Sequence, residues 1–417
     1  CCGGTAVTLA RTAPADSTRL AIDGGTPVCR DGLPTWPRFD RHDATAAADV
    51  LLSGRVNYWT GEHGRAFERE FAQWAGAAHA VAVANGTVAL EIALRALGVG
   101  AGDEVIVPSA TFIATASAVV TCGARPVVVD VDRDSQALTV DTVAPAITSR
   151  TAAVIVVHVG GYPADTAALA ALAAAHGLHL VEDCAQAHGA HRDGRHVGTR
   201  GRVAAWSFCQ DKIMTTAGEG GAVTTGDAWL ARRCWELKDH GKSYPAVHER
   251  EHAPGFRWLH DSFGTNARMT EIQAAVGRLQ LPKLPGWVAV RRAHGEALRA
   301  AVGDLPGLRL PVLAPGVEHA YYRFYGQVRT ERLKAGWDRD RIVAAVTAEG
   351  VPCASGGCTE IYRERAFDAT GRPASPLPAA QWLGRHSLVL PVHPALSTTD
   401  VRQVAAAVRK VFAEATA

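Results

Sequence analysis

Through the first half of the chain, short apolar runs alternate with alanine-rich segments. The runs at 79–84, 104–108, 126–131, 153–159, 178–182, 203–208 and 222–225 read as strands. Their near-continuous apolar character, without polar alternation, predicts a largely parallel sheet buried on both faces by helices. Between the first two runs, Leu90, Ala93, Leu94 and Leu97 recur at helical spacing and predict an amphipathic helix. The fourth strand ends at Gly160-Gly-Tyr-Pro163, whose glycines and proline mark a turn. From Trp229 the chain turns helical and polar. Residues 243–264, rich in charge, His and Pro without periodicity, predict a long loop of the kind that is often functional. Met269, Ile272, Val276 and Leu279 then define a helix that Pro282 and Pro285 are expected to stop. A helix over 287–302 leads to a C-terminal region with strands at 322–328 and 387–390. The fold class predicted is α/β: a mostly parallel seven-stranded sheet with helices on both faces, plus a smaller C-terminal α+β domain. Neither an internal repeat nor a low-complexity linker interrupts this pattern.

Composition narrows the classes of function. At 417 residues the chain is long enough for one large and one smaller domain. A net charge of +2 with both signs interspersed gives no basic face for nucleic acid. No apolar stretch approaches the roughly 20 residues of a membrane-spanning helix, and no charged-then-apolar leader precedes a processing site, so a cytoplasmic protein is expected. Nine cysteines, at 1, 2, 29, 122, 184, 209, 234, 353 and 358, include no CxxC and leave one over if paired. Reduced thiols are therefore expected, with no disulfide framework and no metal. Residue 1 is Cys and the only methionines are Met214 and Met269, so residues 1–18 are read as a disordered or non-native leader.

Two stretches carry chemistry. Ser207-Phe-Cys-Gln-Asp-Lys212-Ile-Met-Thr-Thr-Ala-Gly-Glu-Gly-Gly221 places one lysine after an apolar run and ahead of a Gly-rich turn. Upstream, the run from Leu178 ends in Asp183 and continues into Cys184-Ala-Gln-Ala-His-Gly189. A pyridoxal phosphate enzyme needs these two groups: an amine for the Schiff base and a carboxylate that keeps the pyridine nitrogen protonated. Taken singly, Lys212 reads equally as a surface lysine in a turn, and Asp183 as a helix N-cap. The glycines at 218, 220 and 221 favour the functional pair, because they let backbone approach a ligand closely. Asn85-Gly-Thr87 follows the first strand and opens the Leu90 helix. A helix N-terminus binds phosphate through free N–H groups and its dipole, although the same residues make an ordinary turn and cap.

Val181-Glu-Asp-Cys-Ala-Gln-Ala-His-Gly-Ala190 and the Lys212 segment resemble the DegT/DnrJ/StrS family, sugar aminotransferases of fold type I, and the similarity extends from about Arg38 to Phe412. The resemblance implies a large domain over 19–285, with an N-terminal arm, that binds pyridoxal 5′-phosphate, and a small domain over 286–417. It implies that Lys212 carries the Schiff base and moves the substrate proton, and that Asp183 pairs with the ring nitrogen. Gln186 matches the residue beside the phenolic oxygen, Gly86, Thr87 and Ser207 the phosphate cup, and Phe112 the aromatic stacked on the ring. Asn266 matches an asparagine that reaches the phosphate of the neighbouring subunit, which implies a homodimer with shared active sites. Gln186 as a solvated helix residue and Phe112 as a core residue remain open. His188, His240, Tyr244, His319 and Tyr321, with Tyr322, are candidates for the substrate side; local backbone, a solvated loop and core aromatics explain them equally well.

The function implied is amination of a keto sugar, nucleotide-linked, with glutamate or glutamine as donor. Lysine at position 212 argues against the family branch that has histidine there and deoxygenates. Residues 20–37 resemble a second branch, the cyclitol (scyllo-inosose type) aminotransferases of aminoglycoside biosynthesis. A third alternative is a non-catalytic sensor or scaffold on the same fold.

Overall fold

The computed structural model describes residues 19–416, so the leader expected over 1–18 lies outside them. The seven strands form one sheet: β1 His79–Val83, β2 Glu104–Pro108, β3 Arg125–Val129, β4 Thr151–Val157, β5 His179–Asp183, β6 Val203–Ser207 and β7 Gly221–Thr225. Their order is β1-β7-β6-β5-β4-β2-β3. All neighbours are parallel except at β7, which runs antiparallel to both β1 and β6. β2, β6 and β7 are buried at every residue, which is the reason these stretches lack polar alternation. Successive side chains still part to opposite faces. Ile155, Val181, Val203 and Ala205 pack with the helices Gly86–Ala96 and Ala228–Lys238 on one face. On the other, Val154, Val156 and Leu180 meet Thr166–Ala175, and Ala204 and Trp206 meet His63–Ala75 and Glu271–Gln280. Leu97, expected within the Leu90 helix, is its C-terminal cap instead.

The helix Glu271–Gln280 stops just ahead of Pro282 as expected, but Pro285 opens the next helix instead of ending this one. A short 3₁₀ turn, Leu281–Lys283, carries Pro282, and the long helix Leu284–Val302 opens with Pro285 in its first turn. Proline is tolerated there because the first-turn N–H has no helical partner anyway. Met269 lies ahead of the shorter helix but is buried beside Ala274. The loop expected over 243–264 contains one short helix, Tyr244–His248, which Ser243 caps by accepting from the Ala246 N–H.

A second apolar cluster gathers around a three-stranded sheet, β8 Leu308–Arg309, β9 Phe324–Val328 and β10 Ser387–Leu390, in that order. Leu298, Val302, Ile342, Val346, Val404 and Phe412 fill it from three helices, and Leu20 and Cys29 of the N-terminal arm join them. The arm thus packs into the C-terminal core. Glu349, fully buried, fastens it: the carboxylate accepts from the N–H groups of Ala21 (2.8 Å) and Val28 (3.0 Å) and pairs with Lys410 at 3.0 Å. Removing one partner of a buried pair strands the other charge and both N–H donors. Glu349→Ala is therefore expected to cost about 3 kcal/mol, read in urea as a lower midpoint at unchanged slope.

Candidate active site

The carboxyl ends of the strands open into one cavity of about 1030 Å³, where an open α/β sheet is expected to bind its ligand. Asp183, the last residue of β5, and Ser207, the last of β6, both line it, with Lys212 from the loop that follows. Gly86 and Thr87 enter from the start of the Gly86–Ala96 helix, Phe112 from the turn after β2, and Gln186 from the turn after β5.

Asp183 is 7% exposed and has two donors, the Thr115 hydroxyl at 3.1 Å and the Ala185 N–H at 3.1 Å. Burial pushes its carboxyl above the ordinary range, against the pull of these donors and of the Lys212 charge. A cation against this carboxylate would pull it back down and favour the ionised form. Thr115 is in turn held by Thr111 at 2.8 Å.

Elsewhere on the cavity wall, the Asn85 side chain caps the helix by accepting from the Val88 N–H at 3.0 Å. The Gly86 and Thr87 N–H groups are left without a backbone partner among the described residues. A Cβ at Gly86 would come within 2.6 Å of the Ser207 Cβ, and one at Gly221 within 2.4 Å of the Asn85 carbonyl oxygen. Only glycine at these positions brings the serine hydroxyl against the open end of the helix, which makes an anion site of the kind a phosphate fills.

Phe112 is 67% exposed, an apolar ring facing the cavity with little packing of its own. The Gln186 carbonyl accepts from the Gly160 N–H at 2.7 Å, which fixes the side chain and frees its NH₂. Lys212 is held at its backbone by the N-terminal arm, where Trp36 donates from Nε1 to the Lys212 carbonyl at 2.8 Å. Its ammonium lies 3.8 Å from the Asp211 carboxylate and 5.1 Å from the Tyr322 ring centroid. Burial alone would raise the Asp211 carboxyl, but Lys212, the Tyr322 hydroxyl and Arg323 outweigh it and hold it below the usual range. This set fits pyridoxal phosphate: an acid for the ring nitrogen, an amine for the aldehyde, a helix end for the phosphate and an exposed ring for stacking.

The other candidates fall elsewhere. His188 is fully buried among Trp74, Trp206 and Phe208, with neither ring nitrogen bonded among the described residues, and burial lowers its pKa to about 3. It is a neutral core histidine. His319 and Tyr321 stack on each other with centroids 4.2 Å apart, and the Tyr321 hydroxyl donates to Glu296 at 2.8 Å. Neither lines the cavity, while the adjacent Tyr322 does. His240 is exposed and also outside it. Tyr244 packs on Trp235 and His248. The stretch that precedes it is structural as well. Lys238 is fully buried and paired with Glu68 at 2.5 Å, and buried Asp239 takes Arg268 at 2.6 Å and Lys242 at 3.0 Å. Asn266 is exposed and does not line the cavity of its own chain.

Sequence reasoning missed several wall residues. Thr115, Asp211, Arg323 and the segment from Pro352 to Thr359 all face the cavity. Of these, only Thr115 carried a local signal, a hydroxyl one helical turn after Thr111.

The chain matches the model of the DegT/DnrJ/EryC1/StrS aminotransferase family over residues 37–409. It is 40% identical over 365 residues to the dTDP-3-amino-3,4,6-trideoxy-alpha-D-glucose transaminase of Streptomyces venezuelae, covering 88% of this chain and 90% of that one. To the L-glutamine:2-deoxy-scyllo-inosose aminotransferase of Streptoalloteichus tenebrarius it is 38% identical over 419 residues, covering 94% and 97%. The crystal structure of an aminotransferase from Psychrobacter cryohalolentis superposes with a TM-score of 0.89 at 50% identity, covering 91% of this chain and 99% of that one. All seven described cysteines are free, and among the described residues no helix is long and apolar enough to cross a membrane. Fold, cavity and relatives agree, and the chain belongs to the DegT/DnrJ/EryC1/StrS family and is an aminotransferase.

Proposed function

We propose that this aminotransferase uses pyridoxal 5′-phosphate to place an amino group on the keto carbon of a sugar, nucleotide-linked, with glutamate or glutamine as donor. The observation that carries the reading is the meeting of Lys212, Asp183 and the Gly86 helix end in one cavity large enough for a cofactor and a substrate together. The cofactor supplies an electron sink that stabilises negative charge at the carbon losing its proton. Asp183 keeps a positive charge at the ring nitrogen, and its burial makes that pairing strong. Lys212 would anchor the cofactor, and its Nζ is the group that would take the proton at the substrate carbon. Asp211, beside the same Nζ, stabilises the ammonium that results. Gly86, Thr87 and Ser207 would hold the phosphate, Phe112 would cover the ring, and Gln186 would serve the phenolic oxygen. In this reading the large domain ends near residue 285 and the small domain follows it. Mass-spectrometric screening of purified protein against keto sugars and keto cyclitols tests the substrate class: a mass change of one amination on a nucleotide-linked keto sugar supports the proposal.

A cyclitol ketone is the second reading, supported by the inosose aminotransferase whose match takes in 94% of this chain. Amination of inososes alone in the same screen would establish it.

The active unit in this proposal is a homodimer with shared sites. Two observations support it: Asn266 is exposed and does not line its own cavity, and the segment before it exposes Phe256, Trp258 and Phe263 at 79%, 85% and 95%. A second copy would cover such rings. If Asn266 serves the partner's phosphate, co-expressing Lys212→Ala with a severely impaired Asn266 variant puts both defects in one site of the mixed dimer and neither in the other. Recovery of up to about a quarter of wild-type activity is then expected from two-fold symmetry. No recovery in dimers proven mixed by two affinity tags would place Asn266 in its own subunit's site.

A further inference from the structure

The cavity is poor in cations. Its charged lining residues are Asp183, Asp211, Glu219 and Glu364 against Lys212 and Arg323. With Lys212 committed to the chemistry, Arg323 is the one guanidinium among the described lining residues. It is positioned but only lightly engaged. Its carbon lies 4.8 Å from the Tyr322 ring centroid, and one Nη2–H reaches the Asp211 carboxylate at 3.4 Å. A guanidinium carries five N–H donors in a fixed fork, and no other side-chain partner takes them among the described residues. The Tyr322 hydroxyl donates to that same Asp211 oxygen, and the other oxygen faces the Lys212 ammonium. Lys212 Nζ and the Arg323 guanidinium therefore stand on one Tyr322–Asp211 pair.

Every α-amino acid donor brings a carboxylate one bond from the carbon whose nitrogen must reach the position of Lys212 Nζ. A nucleotide-linked sugar carries its diphosphate farther from its reacting carbon, across the sugar ring. An anion that must sit one side chain from Lys212 is thus the donor's carboxylate. We infer that Arg323 receives the α-carboxylate of the amino donor, with Tyr322 and Asp211 as its positioning residues; this rests on the aminotransferase reading above. Two charge-assisted bonds from the fork to the incoming carboxylate replace one long contact to Asp211.

The test compares L-glutamine with its α-amide, which lacks the carboxylate, in the donor half reaction of holoenzyme. Arg323→Gln should raise the KM for L-glutamine and L-glutamate on the order of tenfold to a hundredfold, the range for losing hydrogen bonds to a charged group, while the α-amide changes little. Arg323→Lys should recover part of the loss, because it keeps the charge without the fork. Calorimetric titration of the cofactor-free protein with glutarate gives a readout independent of turnover, and its Kd should weaken in Arg323→Gln by a comparable factor. Three results would overturn the proposal: equal losses for acid and amide, a loss confined to the keto-acceptor half reaction, or an unchanged glutarate Kd. A wild-type protein that takes nitrogen from no amine at all would instead overturn the aminotransferase reading, and this assignment with it.

Discussion

Lys212→Ala is expected to abolish turnover and to remove an absorbance band at roughly 400 to 430 nm, the region of a conjugated imine, while the protein still binds pyridoxamine phosphate. The first part follows from inventory: among the described residues lining the cavity, Lys212 supplies the only amine. The second follows from the division of labour in the site. In the proposed site the phosphate would be held at the Gly86 helix end and beside Ser207, the ring nitrogen would meet Asp183, and Phe112 would stack; none of these contacts would need the lysine. Spectrophotometric titration with pyridoxamine phosphate checks retention, and transamination surviving in the variant would remove Lys212 from the mechanism.

The second large effect is at the ring nitrogen. Asp183→Asn keeps the shape, and its one amide oxygen can still accept from the Ala185 N–H while its NH₂ faces Thr115, a hydroxyl that can also accept, but it cannot balance a positive charge. Proton removal at the substrate carbon is expected to slow by roughly 10² to 10⁴, the range for loss of an acid–base element. Cofactor affinity should fall less, since the phosphate contacts lie elsewhere. Single-turnover kinetics in the donor half reaction measure this directly, with deuterium at the donor α-carbon reporting whether proton removal has become slower. A variant with parental rates would make Asp183 a structural residue, a buried acid serving only Thr115 and the turn after β5.

The parts of the site legible in the sequence are those that local chain geometry determines. Asp183, Gly86 and Ser207 sit at strand or helix ends whose apolar runs mark them, and the glycines around Lys212 announce a close backbone approach. The parts that escaped depend on tertiary contact. Arg323 lies just ahead of β9, and only the packing of the C-terminal sheet against the Lys212 loop turns it into the cavity. The arm illustrates the same limit: its short apolar stretch gives no hint that Trp36 holds the lysine's carbonyl or that Leu20 enters the C-terminal core. His188 was ambiguous for the opposite reason. A histidine before a glycine suggests a turn, yet the turn here faces Trp74 and Trp206, and burial makes it core. The antiparallel β7 hides among parallel neighbours because full burial erases the difference in pattern.

If this cavity performs amino-group transfer through a cofactor held by Lys212 and Asp183, the transfer will show in the visible spectrum of pyridoxal phosphate–loaded protein mixed with L-glutamine or L-glutamate and no acceptor. The band at roughly 400 to 430 nm is expected to be lost as the donor's amine passes to the cofactor, and a keto sugar to restore it. A cofactor spectrum unmoved by either donor would contradict amino-group transfer and leave a protein that binds the cofactor without turning it over.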